Sequence, residues 1–350
     1  MTPLPDANIR VERLYNGRPV LRKDTTHPWE SKVTFNPACA LVEGRDKVAE
    51  IVGKSPFDRS VKEKLSERDA LCFLLYRAQG AKAQGSGVAP SSIGLAVLSP
   101  ELELLARHDA PVLLPDVPYD NLGVEDGRLT KIGERYFLIY TAYGSGQPKN
   151  KIRIALASTS DFVHWEKHGL LRGDFNTIDN KNAMLFGEPV GRKYIMLHRP
   201  MEGDDPMSIH WAESSDVLGE WKSRGVLMKP VVNPRFTDTW IGGGAPPMRM
   251  SNGYLMLYHI GNRAADGTRE YDLGIASLEW KSGGPLVRRN ALLMRPVIPA
   301  ETVGDAELGV NNVLFLCGAY FYQGDCYFPY AGADSVVLGA RISRTELDRF

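Results

Sequence analysis

Gly123-Val124-Glu125-Asp126-Gly127-Arg128-Leu129-Thr130 is the stretch from which the fold can be worked out. A glycine-containing turn follows at 132–134, and an apolar, aromatic run then extends from Arg135 to Thr141. Two strand-like runs joined by a short glycine turn predict a β-hairpin. Two acids and an arginine at its start can place a carboxylate and a guanidinium in one pocket. The alternative is a solvated turn whose charges pair locally.

The same hairpin recurs along the chain. Five apolar runs end at Tyr76, Tyr140, His198, Tyr258 and Tyr330, with spacings of 64, 58, 60 and 72 residues. A strand candidate precedes each run, and a strand with a small residue inside it follows. Four of the five units end in a further strand. Self-similarity of this kind indicates a repeat architecture.

The first and fourth strands of each unit are also predicted from apolar runs. First strands are predicted at 35–41, around Val124, and at 182–186, 245–248 and 312–315. Fourth strands are predicted at 110–115, 169–172, 225–230 and 291–296. The fifth unit lacks a fourth strand, and residues 16–21 at the N-terminus are expected to supply it.

Five four-stranded antiparallel units, the last one closed by the N-terminal strand, predict an all-β fold. The arrangement expected is a five-bladed β-propeller, because radial repetition leaves only short, protected strand edges. We predict one catalytic domain over 1–350. A two-sheet sandwich is the alternative, which five complete cycles disfavour.

Two segments depart from the repeat. An insertion at about 46–69 is predicted to contain a short surface helix, since Val61 and Leu65 are spaced i, i+4 within the polar stretch 55–69. Residues 78–90 are rich in Gly, Ala and Ser, which predicts a flexible loop.

Composition excludes several classes of protein. The chain has 42 basic and 42 acidic residues, so its net charge gives no argument for a nucleic acid or an anionic membrane as partner. No apolar run approaches the roughly 20 residues that span a bilayer. Residues 1–6 lack the features of a signal peptide. The four cysteines have no CxxC spacing and are predicted to be buried free thiols, which favours a cytoplasmic location. A homo-oligomer is compatible with the sequence.

The first strand of a propeller blade lies nearest the axis, so its polar residues converge on a central cavity. These residues are Asn36, Glu125, Asp126, Asn182, the 242–244 glycine bend and Asn311-Asn312. Polar groups that meet in a cavity are the default hypothesis for a binding site. Amides and carboxylates suit the hydroxyl groups of a sugar, and Tyr and Trp suit its apolar face.

The chain resembles glycoside hydrolase family 130, the β-mannoside phosphorylases and related β-mannosidases, over nearly its whole length. The resemblance depends on seven short motifs in the family order, each weak alone. They are Phe35-Asn36-Pro37-Ala38, Tyr76-Arg77, 123–128, Leu197-His198-Arg199-Pro200, 241–247, Tyr258-His259 and Gly332-Ala333-Asp334.

The resemblance implies a reaction and a set of site residues. Asp126 would be the catalytic acid, protonating the leaving glycosidic oxygen through the sugar's own 3-hydroxyl. Phosphate would attack the anomeric carbon from the opposite face and give α-mannose 1-phosphate with inversion. No metal or organic cofactor is implied, and inorganic phosphate is the co-substrate. The implied substrate-binding residues are Asn36, Arg77, Glu125, Asp334 and Trp240, and the implied phosphate-binding residues are Arg199, His198, Asn180 and His259.

Several of these residues have a structural alternative. His198 occupies a repeat position held elsewhere by tyrosine, so it is also interpreted as a packed core residue. Arg128 is interpreted as a structural partner of Glu125, and Asp334 as an acid in a turn. A general acid works best with a raised pKa, and burial of Asp126 beside Glu125 is expected to raise it.

Three departures from the family pattern weaken the predicted phosphate site. Gly127 replaces a proline, Trp240 replaces a lysine, and Asp179 replaces a basic residue. Lys181 or Arg172 could compensate for the lost charge. A β-mannosidase that uses water is therefore the second hypothesis, with Glu125 or Asp179 as the base that inverting hydrolysis needs. A non-catalytic carbohydrate-binding propeller is the third.

Overall fold

The computed structural model describes residues 3–82, 87–146, 152–203, 206–281 and 283–350. About half of these residues lie in strands, which are named here in chain order. Strand β1 (Val11–Arg13) precedes unit one, which contains β2 (Val33–Glu43), β3 (Ala70–Gln79), β4 (Ser91–Leu98) and β5 (Leu104–Arg107). Unit two contains β6 (Gly123–Ile132), β7 (Arg135–Tyr143), β8 (Ile152–Thr159) and β9 (Glu166–Leu170).

The remaining strands complete three further units. Unit three contains β10 (Arg172–Gly173), β11 (Asn180–Leu185), β12 (Tyr194–Pro200), β13 (Ile209–Ser214) and β14 (Glu220–Met228). Unit four contains β15 (Asp238–Gly243), β16 (Met248–Met250), β17 (Gly253–Arg263), β18 (Arg269–Lys281) and β19 (Gly284–Met294). Unit five contains β20 (Leu314–Phe315), β21 (Tyr320–Tyr322), β22 (Asp325–Gly332) and β23 (Val336–Ile342).

Four strands of each unit form an antiparallel meander, and the short strand β10 pairs parallel with β14 at the edge of unit three. The paired orders are β2-β3-β4-β5, β6-β7-β8-β9, β11-β12-β13-β14 and β15-β17-β18-β19, and the fifth unit runs β20-β22-β23-β1. One parallel bridge, Ser91 to Gly123, joins units one and two into a larger sheet. The predicted all-β class is confirmed.

The fifth unit takes its outer strand from the N-terminus, but not from the segment expected. Strand β1 pairs antiparallel with β23, with Val11 opposite Ile342. The predicted segment 16–21 contributes only a bridge between Leu21 and Val337. A 3-10 turn at Leu14–Gly17 occupies its start, because Tyr15 and Asn16 adopt positive φ angles that end the extended backbone.

Two other strand predictions were wrong in position. The first strand of unit four is β15 and not 245–248, because two consecutive prolines in that segment have no N–H to donate to a ladder. The fourth strand of unit one is β5 and not 110–115, which Pro111 and Pro115 bracket. That segment retains a single bridge, from Leu113 to Ile93.

Two helices, α1 (Arg45–Lys54) and α2 (Arg59–Ser66), occupy the insertion where one helix was expected. Helix α1 buries Val48, Ile51 and Val52. Two further helical turns are α3 (Pro299–Thr302) and α4 (Arg344–Leu347). Within the described ranges, no helix has the length and apolar character needed to cross a bilayer. The predicted loop at 78–90 overlaps the end of β3, and its residues 83–86 lie outside the described residues.

The repeated residue of each second strand is anchored by a side-chain hydrogen bond. The hydroxyl donates to a buried or partly buried acceptor in four units, and an imidazole replaces it in unit three. The pairs are Tyr76–Glu30 at 2.8 Å, Tyr140–Asp120 at 3.0 Å, Tyr258–Asn290 at 2.5 Å, Tyr330–Glu301 at 2.8 Å and His198–Asn180 at 3.0 Å. Each bond satisfies polar groups that burial would otherwise leave unpaired.

The first strands of the units contact one another from neighbour to neighbour. Strand β2 contacts β6, β6 contacts β11, and β11 contacts β15. Unit five then contacts both ends of this series, through β18 with β20 and through β22 with β2. Side chains from the first strands are therefore brought to one region.

Candidate active site

The first strands of units one, two and three are interrupted at the same place. The pairing register shifts between Phe35 and Ala38, between Glu125 and Arg128, and between Lys181 and Met184. The first of the two residues inside each shift has a positive φ: 46° at Asn36, 50° at Asp126 and 56° at Asn182. Asn and Asp tolerate this left-handed conformation better than other non-glycine residues. Such β-bulges change the direction of a side chain and are common beside active sites.

Asp126 is held by donors from unit one. Asn36 Nδ2 donates to its Oδ1 at 2.7 Å, and Arg77 Nη1 donates to the same oxygen at 3.0 Å. Arg77 Nη2 also donates to Glu125 Oε1 at 2.6 Å, and its Nε donates to Ser91 Oγ at 2.8 Å. Both donors to Asp126 use Oδ1, and no described residue bonds to Oδ2. The second oxygen is therefore available to a ligand.

The two aspartates of the site have opposite pKa shifts. Burial raises the pKa of Asp126, but the charges of Arg77, Lys181 and Arg128 outweigh it and hold the pKa below its ordinary value. The expected raised pKa of Asp126 is thus not found, because its neighbours include more cations than acids. Burial and the charge of Asp126 raise the pKa of Asp334 to about 7. Asp334 lies in the β22–β23 turn with a φ of 48° and interacts electrostatically with Arg77.

Arg128 ties the strands together and does not pair with Glu125 as interpreted from the sequence. Its Nη1 donates to the carbonyl of Asp126 at 2.5 Å. Its Nε and Nη2 donate to the carbonyls of Gly244 and Gly243 at 3.1 and 2.8 Å. The buried guanidinium thus fixes the bulge that carries Asp126 against unit four.

His259 faces the site from unit four as a neutral ring. Asn182 Oδ1 accepts from Arg128 Nη2 at 3.3 Å, which directs the Asn182 amide Nδ2 to His259 Nε2 at 3.2 Å. Because Nε2 then accepts, the proton of the neutral ring lies on Nδ1. This Nδ1 is buried without a partner. Burial and the charges of Arg199 and Arg128 hold the pKa of His259 well below its ordinary value.

Arg199 is a buried guanidinium that no acid neutralises among the described residues. It is 5% exposed, and its Nε has no hydrogen-bond partner. Burial, with the charge of Arg128, lowers its pKa to about 10. Lys181 lies directly opposite Arg199 in the β11–β12 pairing. Two like charges face each other across adjacent strands, an arrangement that destabilises a sheet.

His198 and Asn180 form a separate pair on the other side of β12. Nδ1 of His198 lies 3.0 Å from the Asn180 amide, whose Nδ2 also donates to the Phe175 carbonyl at 2.8 Å. Burial and the nearby His210 lower the pKa of His198 to about 3. Neither residue contacts Arg199 or Asp126 through a hydrogen bond. Their predicted part in phosphate binding stays a prediction.

Trp240 packs against Tyr271, a residue not predicted from the sequence to belong to the site. The two rings meet edge-on, with their centroids 5.5 Å apart, and Trp240 is buried. Tyr271 interacts electrostatically with Arg199 and Asp334, which places it beside the site. Its ring centroid lies 6.1 Å from that of His259. Tyr271 lies near the start of β18, where burial does not alternate between neighbouring residues, and no motif marks it in the sequence.

Two further residues named as departures from the family pattern make contacts of their own. Asp179 accepts from Arg153 at 2.9 Å and from the backbone N–H of Ile152 at 3.0 Å. Arg172 is exposed and donates to the Leu218 carbonyl at 3.3 Å. Lys181, by contrast, interacts electrostatically with Asp126 and Glu125. Of the two proposed compensating cations, only Lys181 lies at the site.

The described residues contain no group of three or more His, Cys, Asp or Glu side chains arranged to hold a metal ion. The four cysteines are free and buried. The polar groups that converge instead are carboxylates, amides, guanidinium groups and one neutral imidazole. This set can bind hydroxyl groups on one side and an anion on the other.

Comparison with known proteins agrees with this chemistry. The family model for glycoside hydrolase family 130, described as beta-1,4-mannooligosaccharide phosphorylase, matches residues 10–348. A 1,2-beta-oligomannan phosphorylase from Thermoanaerobacter sp. (strain X514) is 28% identical over 94% of this chain and 96% of its own length. A beta-1,2-mannobiose phosphorylase from the same strain is 29% identical over 98% of this chain and 100% of its own length.

A solved structure shares the fold. The beta-1,2-mannobiose phosphorylase of Listeria innocua, solved with beta-1,2-mannobiose, superposes with a TM-score of 0.75. The match covers 97% of this chain and 99% of the other, at 20% sequence identity.

Proposed function

The chain belongs to glycoside hydrolase family 130, and we propose that it catalyses the inverting phosphorolysis of a β-mannoside. The substrates are a β-mannosyl disaccharide or oligosaccharide and inorganic phosphate. The products are α-mannose 1-phosphate and the shortened sugar. The unneutralised guanidinium of Arg199, buried in a site whose acid is Asp126, is the observation that carries this proposal.

We propose that the five units close into a ring as a five-bladed β-propeller, with a single catalytic domain over 1–350. The neighbour-to-neighbour contacts of β2, β6, β11 and β15, and those of unit five with units four and one, support this arrangement. In such a ring the bulges at Asn36, Asp126 and Asn182 direct their side chains towards the axis.

Asp126 is assigned as the general acid. Its Oδ1 is occupied by Asn36 and Arg77, so Oδ2 is the oxygen that delivers the proton to the leaving glycosidic oxygen through the sugar. The C1–O bond to the leaving sugar breaks as a C1–O bond to phosphate forms. The net reaction balances because the proton of hydrogen phosphate ends on the hydroxyl of the released sugar. In each cycle Asp126 gives a proton to the leaving oxygen and takes up the proton that hydrogen phosphate loses.

Asp126 must be protonated to act as an acid, but nearby cations hold its pKa low in the free protein. Its electrostatic surroundings must therefore change before it can donate a proton. A bound phosphate supplies that change, because its negative charge offsets nearby cations that stabilise the carboxylate. Phosphate binding therefore favours the protonated acid as the second substrate enters. Arg199 offers a planar fork to the phosphate oxygens. The Nδ1–H of neutral His259 is a further donor.

The mannose-binding set comprises Asn36, Arg77, Glu125, Asp334 and Trp240. Asn36 retains an unpartnered Oδ1, which can accept from a sugar hydroxyl. Asp334, with its pKa near 7, can donate to or accept from a hydroxyl at neutral pH. Trp240 acts through Tyr271, whose ring it contacts and which interacts electrostatically with Arg199 and Asp334.

A β-mannosidase that uses water is the second candidate, because Trp240 and Asp179 stand where the family has cations. Its weakness is the lack of an available base. Glu125 is bonded to Arg77 and Asp179 is bonded to Arg153, so each carboxylate already neutralises an arginine. Phosphate needs no such base. A non-catalytic sugar-binding protein is the third candidate.

The relatives' names favour β-1,2-linked mannosides as the first substrates to test, and the family description adds β-1,4-linked ones. A cytoplasmic location and a homo-oligomer stay predictions. The free, buried cysteines are compatible with a reducing compartment.

Parallel incubations with and without phosphate test the proposal. The protein is supplied with β-1,2-mannobiose, β-1,4-mannobiose or a β-mannosyl-glucose, and mannose 1-phosphate and free mannose are both measured. Phosphate-dependent mannose 1-phosphate supports phosphorolysis. Free mannose in the absence of phosphate supports the hydrolase, and sugar binding without turnover supports the non-catalytic protein.

A further inference from the structure

We propose that Lys181 is a second phosphate-binding cation, which acts with Arg199 and replaces the family cations absent at Asp179 and Trp240. This assignment rests on the proposed phosphorolysis and specifies which residues of this chain recognise the dianion. It concerns a residue that binds the co-substrate directly.

The strand register brings two cations together. Lys181 in β11 and Arg199 in β12 are direct cross-strand partners in an antiparallel pair. Side chains in such positions have Cβ atoms about 4.5–5.5 Å apart and, when they carry like charges, destabilise the sheet. A bound anion between the two cations removes this repulsion. A bound anion therefore stabilises this arrangement.

Neither cation has a hydrogen-bonded or ion-paired side chain as its partner among the described residues. The Nε of Arg199 is buried and has no hydrogen-bond partner. Most buried arginines are paired, because an unpaired buried charge is costly. The neighbouring acids are already committed elsewhere, since Asp126 and Glu125 both accept from Arg77.

Lys181 lies near the proposed acid as well as near Arg199. Its ammonium group interacts electrostatically with Arg199, Asp126 and Glu125. A cation that interacts with both Arg199 and the proposed acid can contact a phosphate that attacks the sugar. Arg172, the other residue considered as a replacement, bonds to Leu218 at the surface and cannot serve.

A structural ion pair with Asp126 or Glu125 is the competing explanation for Lys181. The two explanations differ in what Lys181→Met does to stability without phosphate. Loss of a structural ion pair lowers the melting temperature. Loss of one of two repelling cations leaves the melting temperature unchanged or raises it, and abolishes much of the stabilisation that phosphate provides to the folded protein.

The experiment compares wild type with Lys181→Met and Lys181→Arg, and with Lys222→Met as the matched control. Lys222 is an exposed lysine on β14 of the same unit. For Lys181→Met we expect KM for phosphate to rise roughly tenfold to a hundredfold, the range expected for loss of a hydrogen bond to a charged group. KM for the mannoside stays close to that of wild type. Lys181→Arg restores most of the phosphate affinity, and Lys222→Met behaves as wild type.

The outcomes separate the two proposals. An unchanged KM for phosphate in Lys181→Met, or a lower melting temperature without phosphate, would overturn the assignment of Lys181 and leave phosphorolysis standing. If wild type shows no phosphate-dependent turnover, the proposed function is rejected. Calorimetric titration with inorganic phosphate then still decides about Lys181: equal affinities in wild type and Lys181→Met overturn its role, and a lost affinity supports it.

Discussion

Arg77 and Asp126 form a hydrogen-bonded ion pair between neighbouring repeat units, with Arg77 Nη1 3.0 Å from Asp126 Oδ1. Arg77 extends from the second strand of unit one, whereas Asp126 lies in the bulged first strand of unit two. The pair favours the ionised form of Asp126 in the free protein and leaves Oδ2 without a hydrogen-bond partner among the described residues. The contact between two neighbouring repeat units thus determines the charge state of Asp126.

Asp126→Asn should abolish turnover while sugar binding persists. The amide keeps the size of the side chain and can still accept from Arg77 and Asn36, but it cannot deliver a proton. Loss of general acid catalysis predicts a fall in kcat of roughly 10²–10⁴-fold. Steady-state kinetics and calorimetric titration with the mannoside measure the two effects. Asp46→Asn, at an exposed acid in helix α1, is the control. Activity retained by Asp126→Asn would reject Asp126 as the acid.

Arg199→Met should weaken the binding of phosphate and leave the binding of the mannoside nearly unchanged. We expect KM for phosphate to rise roughly tenfold or more, because a charged hydrogen-bond donor is lost, while KM for the mannoside changes little. The free protein should not lose stability, because methionine removes a buried charge that has no partner. Arg192→Met, at an exposed arginine in the turn between β11 and β12, controls for loss of charge. An unchanged dependence on phosphate would remove Arg199 from the site.

Asp334→Asn should stabilise the protein at pH 8 more than at pH 5. The pKa of Asp334 is raised to about 7 by burial and by Asp126, so the folded protein binds this proton more tightly than the unfolded chain. The protonated Asp334 side chain therefore contributes to the free energy of unfolding at low pH. This contribution is lost as the pH rises from the ordinary pKa of an aspartate towards 7. Urea unfolding of wild type and variant at both pH values measures the difference. The pKa of Asp272 is also raised to about 7. Asp272 is present in both wild type and variant, so its contribution cancels in the comparison. Equal effects at the two pH values would contradict the account.

His198→Phe tests whether this residue positions the site or binds phosphate itself. The variant removes the contact with Asn180, so we expect the free energy of unfolding to fall by about 1–3 kcal/mol, as for a buried polar group left unsatisfied. His198→Tyr, which restores the hydroxyl found at this repeat position in the other units, should recover part of that loss. Retained stability with a large rise in KM for phosphate would instead show direct binding.

The repeat could be read from the sequence because each unit carries a local signal. The equivalence of Tyr76, Tyr140, His198, Tyr258 and Tyr330 is matched by equivalent hydrogen bonds in the structure. Strand positions failed where prolines removed backbone donors, as in 245–247, because apolar composition alone does not report hydrogen bonding. The N-terminal strand was misplaced for a related reason: the positive φ angles of Tyr15 and Asn16 are not visible in their residue types alone.

The site was harder to predict than the fold, because it depends on register and charge balance between distant segments. The opposition of Lys181 and Arg199 follows from the β11–β12 register, in which a bulge at Asn182 shifts the pairing. The low pKa of Asp126 depends on cations from units one and three, which only the assembled structure brings together. The role of Arg128 was not predicted for the same reason, since two of its acceptors, the carbonyls of Gly243 and Gly244, lie about 115 residues away in the sequence.

The most direct test of the account is an NMR time course of the protein with a β-mannobiose and inorganic phosphate, recorded for phosphorus and for anomeric protons. The account predicts that α-mannose 1-phosphate appears first, in equal amount to the released sugar, and that nothing is released when phosphate is omitted. Formation of the β-anomer, or release of free mannose without phosphate, would contradict it.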